Sequence, residues 1–146
     1  MASEAQDPLV LDSRLSELSR AQSWAETLAQ QFGLSEKTRY ALLLCMEEAL
    51  ANIVLHGYRS EPGHPIVMHS LLEAGVLWIA IEDEAPAFAP ADDHSAGARE
   101  QVSLESLTPG GYGIQLIRHF ANSLAYERLP RGNRLTMGFS LAPPAP

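Results

Sequence analysis

The segment from residue 36 to residue 56 constrains the fold more than any other part of the chain. Its sequence, EKTRYALLLCMEEALANIVLH, is nearly apolar all round when it is placed on a helix. Ser35 suits the N-cap position, Glu36 favours the first turn, and Gly57 suits the stop. Because such a helix has to be buried on most of its sides, we predict a central helix packed inside the core.

A line of polar side chains interrupts this helix. Glu48, Asn52 and His56 recur at four-residue steps and share one face, whereas Glu47 points about 100° away, towards solvent. Two interpretations stay open from the segment alone. A solvated stripe is the commoner case, whereas a buried line needs partners, because each unpaired buried group costs about 1–3 kcal/mol. A cavity that holds Mg²⁺ and a polar ligand satisfies that need, with an asparagine oxygen as metal ligand and a glutamate as proton acceptor.

The rest of the chain alternates between helical and hairpin patterns. Periodicity and turn residues predict a strand over 9–11, a helix over 15–32 that ends at Gly33, a hairpin over 66–83, a long loop over 84–111, a helix over 112–124 and a hairpin over 124–141. Segregated helices and hairpins indicate one α+β domain over residues 1–146, built as a two-layer sandwich. Residues 1–8 are expected to be frayed and the tail 142–146 disordered.

Composition and charge exclude several classes of function. Ten Lys and Arg against 18 Asp and Glu give a formal charge of −8, and Lys37 is the only lysine, so we expect no direct nucleic-acid binding. Cys45 is a lone cysteine within an apolar run, which predicts a buried structural thiol. We see no signal peptide and no apolar run near the ~20 residues of a membrane span, so a cytoplasmic protein is the default expectation.

Two further sequence features are candidates for binding a ligand. Gly110, Gly111 and Gly113 open a predicted helix, where free N–H groups and the absence of side chains favour a phosphate. A lid hinge without a ligand explains the same glycines equally well. Asp83 ends an apolar strand, where a carboxylate binds a ligand amino group or, more commonly, caps a turn.

In their order along the chain these features resemble the GHKL ATPases, and most of all the small anti-sigma-factor serine/threonine protein kinases. The similarity lies in EEALANIVLHGY, IEDEAPAFAP, GGYGIQLIRHFANSLAYER and GNRLTMGF, so it covers nearly the whole chain. It implies the Bergerat fold, a two-layer α/β sandwich in which helices pack on one face of a mixed, mainly antiparallel sheet.

The resemblance also implies roles for individual residues. By position, Glu48 matches the catalytic base, Asn52 the magnesium ligand, Asp83 the aspartate that binds the adenine amino group, Gly110, Gly111 and Gly113 the phosphate-binding glycines, residues 91–109 the ATP lid, and Thr136 a hydroxyl residue that supports the adenine aspartate. His56 and Tyr58 match an H-x-Y pattern, to which we assign a structural role at the helix end.

Two positions depart from the family pattern. The first glycine box usually reads D-x-G, whereas this chain has Asp83-Glu84-Ala85. A methyl group at Ala85 would weaken nucleotide binding if that backbone needed positive φ or close contact with the nucleotide. The segment Phe88-Ala89-Pro90 also lacks the acidic residue that often follows there.

The implied activity is that of an ATP- and Mg²⁺-dependent serine/threonine protein kinase, an anti-sigma factor or partner-switching regulator. It would phosphorylate a serine on a STAS-type anti-anti-sigma protein, with a sigma factor as a second partner and a homodimer as the assembly. The alternative is a non-catalytic binding module of the same fold that sequesters partners with weak or no ATP binding. A histidine-kinase catalytic domain is disfavoured, because the helix over 15–32 carries no phosphoacceptor histidine.

Overall fold

The computed structural model describes residues 4–86 and 113–141. Its elements, in chain order, are strands β1 (Glu4–Ala5) and β2 (Leu9–Asp12), a 3-10 turn (Leu15–Glu17), helices α1 (Leu18–Gln31) and α2 (Glu36–Asn52), a π turn (Ile53–Gly57), strands β3 (Pro65–Glu73) and β4 (Val76–Asp83), helix α3 (Gly113–Phe120), and strands β5 (Ser123–Leu129) and β6 (Gly132–Ser140).

Helix α2 is the core helix that the sequence predicts. The Ser35 hydroxyl caps it by accepting the Thr38 N–H at 3.1 Å. Its buried residues are Ala41, Leu42, Cys45, Met46, Ala49 and Leu50. Together with the π turn it is long and apolar enough to cross a membrane by length and composition, contrary to our expectation, but half of that window is buried within the domain. Its apolar character is therefore explained by packing in the core.

The sheet has six strands in the order β1-β3-β4-β6-β5, with β2 also paired to β3. Every pair in the described residues is antiparallel. Ala74 and Gly75 join β3 to β4 with positive φ at both positions, as a two-residue hairpin turn of type I′ requires. The α+β sandwich is thus confirmed, with a described sheet that is antiparallel throughout rather than mixed.

Residues alternate between two faces of this sheet, and one face packs against the helices. On β4 the buried positions are Leu77, Ile79, Ile81 and Asp83, whereas the residues between them are only partly buried. The partners on β6 alternate in the same way, with Asn133, Leu135, Met137 and Phe139 on the buried face. On β4 and β6, odd-numbered residues therefore face the helices and even-numbered residues face the other side of the sheet.

Helix α3 runs antiparallel to α2. The Tyr40 and Phe120 rings meet edge to face at 5.8 Å, and the Cys45 Sγ lies 4.0 Å from the Ile117 carbonyl oxygen. Both helices rise about 1.5 Å per residue, so these two contacts place the first turn of α3 level with Glu48. The entry of α3 and the polar line of α2 consequently lie in the same region.

One expectation needs correction, and several others concern residues that the structure does not describe. Glu4 and Ala5 lie in the stretch predicted to be frayed, yet they form β1 against Leu72 and Leu71. A two-residue strand has no periodicity to detect, which is why the sequence does not predict it. Gly110, Gly111, the proposed lid over 91–109 and the tail 142–146 lie outside the described residues.

Candidate functional site

Asp83 is the last residue of β4 and belongs to the buried face of the sheet, where it is 5% exposed. Its Oδ1 accepts the Ala85 N–H at 2.8 Å and the Asn133 side-chain N–H at 2.8 Å. Within the described residues both hydrogen bonds that the Asp83 carboxylate accepts end on this one oxygen. Oδ2 is therefore the oxygen left to interact with a ligand.

The buried position also changes the acidity of this carboxyl group. Burial raises the pKa of Asp83 to about 6, against the opposing effects of the hydrogen bonds from Asn133 and Ala85 and of the nearby Arg128 guanidinium. A carboxyl group that is destabilised when it ionises is unusual in a structural turn, because an exposed carboxylate caps a turn equally well without that penalty. Buried, polar and held from one side, Asp83 fits a ligand-binding role.

Asn133 is the residue that holds Asp83, and sequence reasoning missed it. It is 1% exposed, and its Oδ1 accepts hydrogen bonds from the Arg128 guanidinium at 3.0 Å and from the Tyr126 hydroxyl. Its register opposite Asp83 was the available signal, because residues paired across β4 and β6 face the same way.

The role expected for Thr136 is wrong. Thr136 pairs with Ala80, three positions along β6 from Asn133, and its parity places it on the face of the sheet away from Asp83. There it lies beside His69, Trp78 and Ala80. A hydroxyl on that face cannot reach the Asp83 carboxylate, and the support comes from Asn133 instead.

Glu48 and Asn52 lie on α2 one turn apart, both partly buried. Neither side chain has a hydrogen-bond partner among the residues that the structure describes. The third residue of the polar line, His56, is exposed, and so is Glu47, which lies off the line. The line therefore consists of two half-buried oxygen-bearing side chains and one solvent-facing histidine. A half-buried carboxylate and carboxamide with no hydrogen-bond partner in the described part of the chain are available to bind a ligand.

Cys45 lies next to this polar pair and is fully buried. Burial first, and the Glu48 carboxylate second, raise the pKa of its thiol to about 12. A thiol with so high a pKa does not form the reactive thiolate near neutral pH. The expectation of a structural cysteine is confirmed.

The Tyr58 side chain links the end of the π turn to the residue that follows β4. Tyr58 directly follows the π turn, and its backbone N–H donates to the Ile53 carbonyl oxygen at 2.8 Å. The Tyr58 hydroxyl accepts the Glu84 N–H at 2.6 Å and donates to the Pro65 carbonyl oxygen at 2.8 Å. Since Glu84 follows Asp83, one side chain fixes the strand end relative to the helix that carries Asn52. The structural role expected for Tyr58 therefore reaches into the site.

Ala85 occupies the position of the usual glycine without strain. It is not among the described non-glycine residues with positive φ, which are Arg59, Ser60 and Ala74. The residue is buried at 2% exposure, and its carbonyl oxygen accepts hydrogen bonds from Arg128 and Asn133, each at 3.1 Å. The backbone conformation that would have penalised an alanine is absent at this residue.

Comparison with known proteins identifies the family of this chain. Residues 11–139 match the family model of the histidine kinase-like ATPase domain. The serine/threonine-protein kinase BtrW of Bordetella bronchiseptica is 34% identical over 139 residues, which cover 94% of this chain and 95% of that protein. An anti-sigma F factor of Oceanobacillus iheyensis is 31% identical over 87 residues, and the match spans 58% of this chain and 57% of that factor.

A solved structure shares the fold. The crystal structure of the RsbU and RsbW domains of a Mycobacterium tuberculosis protein superposes with a TM-score of 0.65 at 15% identity. The match covers 96% of this chain and 34% of that one, so this chain spans about a third of the solved chain. At this level of identity the likeness concerns the fold alone. From the family match over residues 11–139 and the identity to BtrW, the chain belongs to the histidine kinase-like ATPase domain family.

Proposed function

We propose that this chain is an ATP-dependent serine/threonine protein kinase that acts as an anti-sigma factor or partner-switching regulator. The observation that carries the proposal is the buried Asp83 carboxylate, which two hydrogen bonds hold by Oδ1 at the end of β4. A fixed acceptor of this kind suits the exocyclic amino group of adenine. The relative named a serine/threonine-protein kinase, aligned over nearly its full length, supports the same conclusion.

The residues on α2 fit Mg²⁺ and the phosphates of ATP. Mg²⁺ prefers oxygen ligands and keeps several waters, so a nucleotide-bound ion needs few protein ligands. Asn52 offers a half-buried carboxamide oxygen, and no group of three or more His, Cys, Asp or Glu suited to a metal occurs in the described residues. We propose Asn52, together with the phosphate oxygens of the nucleotide, as the donor set for this ion among the residues that the structure describes. When bound, Mg²⁺ would neutralise charge on the phosphates.

Glu48 is proposed as the general base. It lies one turn before Asn52, and its carboxylate has no hydrogen-bond partner among the described side chains. In this role it accepts the proton of a serine hydroxyl on the protein substrate as that oxygen attacks the γ-phosphorus and ADP leaves. The first turn of α3, level with Glu48, supplies free backbone N–H groups for the phosphates, and we include Gly113 with Gly110 and Gly111 in that role.

The proposed partners follow from the relatives' names and the family resemblance. We propose a STAS-type anti-anti-sigma protein as the phosphoacceptor, a sigma factor as the protein that is sequestered, a homodimer as the assembly and the cytoplasm as the location. The two relatives named anti-sigma F factors, matched over about half of their length, support the sigma factor as a partner. The STAS-type protein, the homodimer and the cytoplasm are proposed from the family resemblance.

The alternative is a binding module of the same fold that sequesters partners without using ATP. Its main support was Ala85 in place of glycine. Ala85 adopts no positive φ, so the part of that argument that rests on backbone strain is removed. Its carbonyl oxygen is held by Asn133 and Arg128. We therefore favour the kinase.

Transfer of radiolabelled phosphate from ATP to STAS-type proteins that co-purify with the chain from its own cells tests the proposal. Glu48→Gln is expected to lower the transfer rate by about a hundredfold or more, as loss of a general base does. Glu47→Gln is the matched control, because it makes the same change at the exposed neighbour and should leave the rate unchanged. If both variants transfer phosphate at the unsubstituted rate, Glu48 is not the base.

A further inference from the structure

The buried amide of Asn133 is the centre of a hydrogen-bond network at the proposed base-binding end of the site. Its Nδ2 donates towards Asp83 Oδ1 at 2.8 Å, the Ala85 carbonyl oxygen at 3.1 Å and the Pro86 carbonyl oxygen at 3.3 Å. Two hydrogens serve three acceptors, so at least one of them is shared. The same side chain thereby holds both the carboxylate and the backbone that follows it.

The orientation of this amide is fixed by its other end. Asn133 Oδ1 faces the Arg128 guanidinium at 3.0 Å and the Tyr126 hydroxyl. A guanidinium only donates hydrogen bonds, so the atom that faces it has to be an acceptor. The amide cannot flip without placing a donor against Arg128, and Nδ2 is therefore the atom that faces Asp83.

This orientation determines what Asp83 presents to a ligand. With Oδ1 occupied by two donors, an ionised Oδ2 presents lone pairs, which match a donor on the ligand. A purine with an amino group at position 6 supplies such a donor. A purine with hydrogen at position 6 leaves Oδ2 of Asp83 without a donor. A purine with oxygen at position 6 places one hydrogen-bond acceptor against another.

We propose that Asn133 is the positioning residue that gives this site its preference for a 6-amino purine. This inference rests on the proposed function. Asn133 acts through Asp83 rather than on the nucleotide itself. Arg128 assists by donating both to Asn133 Oδ1 and to the Ala85 carbonyl oxygen. The motifs of the family do not assign the positioning of Asp83 to Asn133 or to Arg128.

The test compares two nucleotides in the presence of Mg²⁺: ATP, and the triphosphate of purine riboside, which lacks only the 6-amino group. Asn133→Leu removes the amide while keeping its approximate shape. We expect the affinity for ATP to fall roughly tenfold to a hundredfold, the range set by an unpaired buried polar group. The affinity for the purine riboside triphosphate should change less than about threefold, because that ligand has no amino group for Asp83 to bind.

Asn122→Leu is the matched control. It makes the same substitution at an asparagine that accepts the Ser140 N–H at 2.7 Å, outside the proposed site, and should leave the ratio of the two affinities unchanged. An equal loss of both nucleotides in Asn133→Leu would show that Asn133 only supports the fold, and would overturn the inference. Unchanged binding of both nucleotides would overturn it as well.

A second variant covers the case in which Asn133→Leu does not fold. Arg128 has an exposed side chain, so Arg128→Met is expected to fold. It should lower the preference for ATP by about two- to fivefold, because Asn133 loses one of its two orienting donors. An unchanged preference in Arg128→Met would contradict the network. If the unsubstituted chain binds neither nucleotide, the proposed function itself fails, and this inference fails with it; if it binds both equally, only the inference fails.

Discussion

The substitution Asp83→Asn should make the protein more stable while removing its ability to bind ATP. The new carboxamide would keep an oxygen in the place of Oδ1 for the Ala85 and Asn133 donors, so the hydrogen bonds at 2.8 Å are preserved. Its NH₂ group would then stand in the place of Oδ2, and a donor there opposes the adenine amino group. The variant therefore separates the destabilising effect of the buried Asp83 carboxylate from its role in binding ATP.

The gain in stability follows from the pKa of the carboxyl group. Burial raises the pKa of Asp83 from 3.8 to about 6 in the folded state. The contribution of this group to the free energy of unfolding is thus fully present below pH 3.8 and is lost as the pH rises through about 6. Above that range, keeping the buried carboxylate ionised costs about 3 kcal/mol. The neutral carboxamide of the variant would not carry this cost.

Urea unfolding of the two proteins at about pH 7.5 and about pH 5 measures the effect. We expect the variant to be more stable by up to about 3 kcal/mol at the higher pH and by about half of that at the lower pH, where much of the cost has gone. A variant that is less stable at the higher pH, or a difference that is the same at both pH values, would refute the argument from burial.

Three further substitutions test other parts of the structure. A Cβ at Gly132 would clash with the Asp83 carbonyl oxygen, so Gly132→Ala should displace that strand end and weaken ATP binding at least about tenfold by calorimetry; normal affinity would show that the clash is relieved elsewhere. Tyr58→Phe removes the hydroxyl that accepts the Glu84 N–H and should cost about 1–2 kcal/mol in urea unfolding, whereas no loss would exclude a bridging role. The Ser70 hydroxyl is buried without a hydrogen-bond partner among the described residues, so Ser70→Ala should raise the free energy of unfolding by about 1 kcal/mol, and a fall would reveal a hidden partner.

Much of the fold could be predicted because its signals are local. Ser35 and Gly33 mark helix ends through their own conformations, and Ala74-Gly75 marks a hairpin turn through positive φ. The apolar character of α2 required burial, whatever the rest of the chain did. A pairing as short as β1 lacked any periodic signal. The helix predicted over 112–124 is shorter in the structure, because α3 ends at Phe120 and Ser123 already belongs to β5.

The site was predicted less completely because its contacts are not local. The choice between Thr136 and Asn133 depends on strand register, since a shift of one residue exchanges the two faces of a sheet. The tie between Tyr58 and Glu84 joins residues 26 apart in sequence, which no single motif contains. Asp83 and the pair on α2 could be proposed because the order of the motifs along the chain resembles that of the GHKL ATPases, since the local patterns alone favoured a capped turn and a solvated stripe.

Calorimetric titration of the unsubstituted chain with ATP, in the presence and absence of Mg²⁺, tests the central claim most directly. We predict binding at one site that weakens when EDTA removes Mg²⁺, weakens likewise in Asn52→Leu, and raises the unfolding temperature as a ligand of the folded state does. The absence of both heat and a thermal shift at millimolar ATP would contradict the claim, and would leave the partner-binding module as the better explanation of this protein.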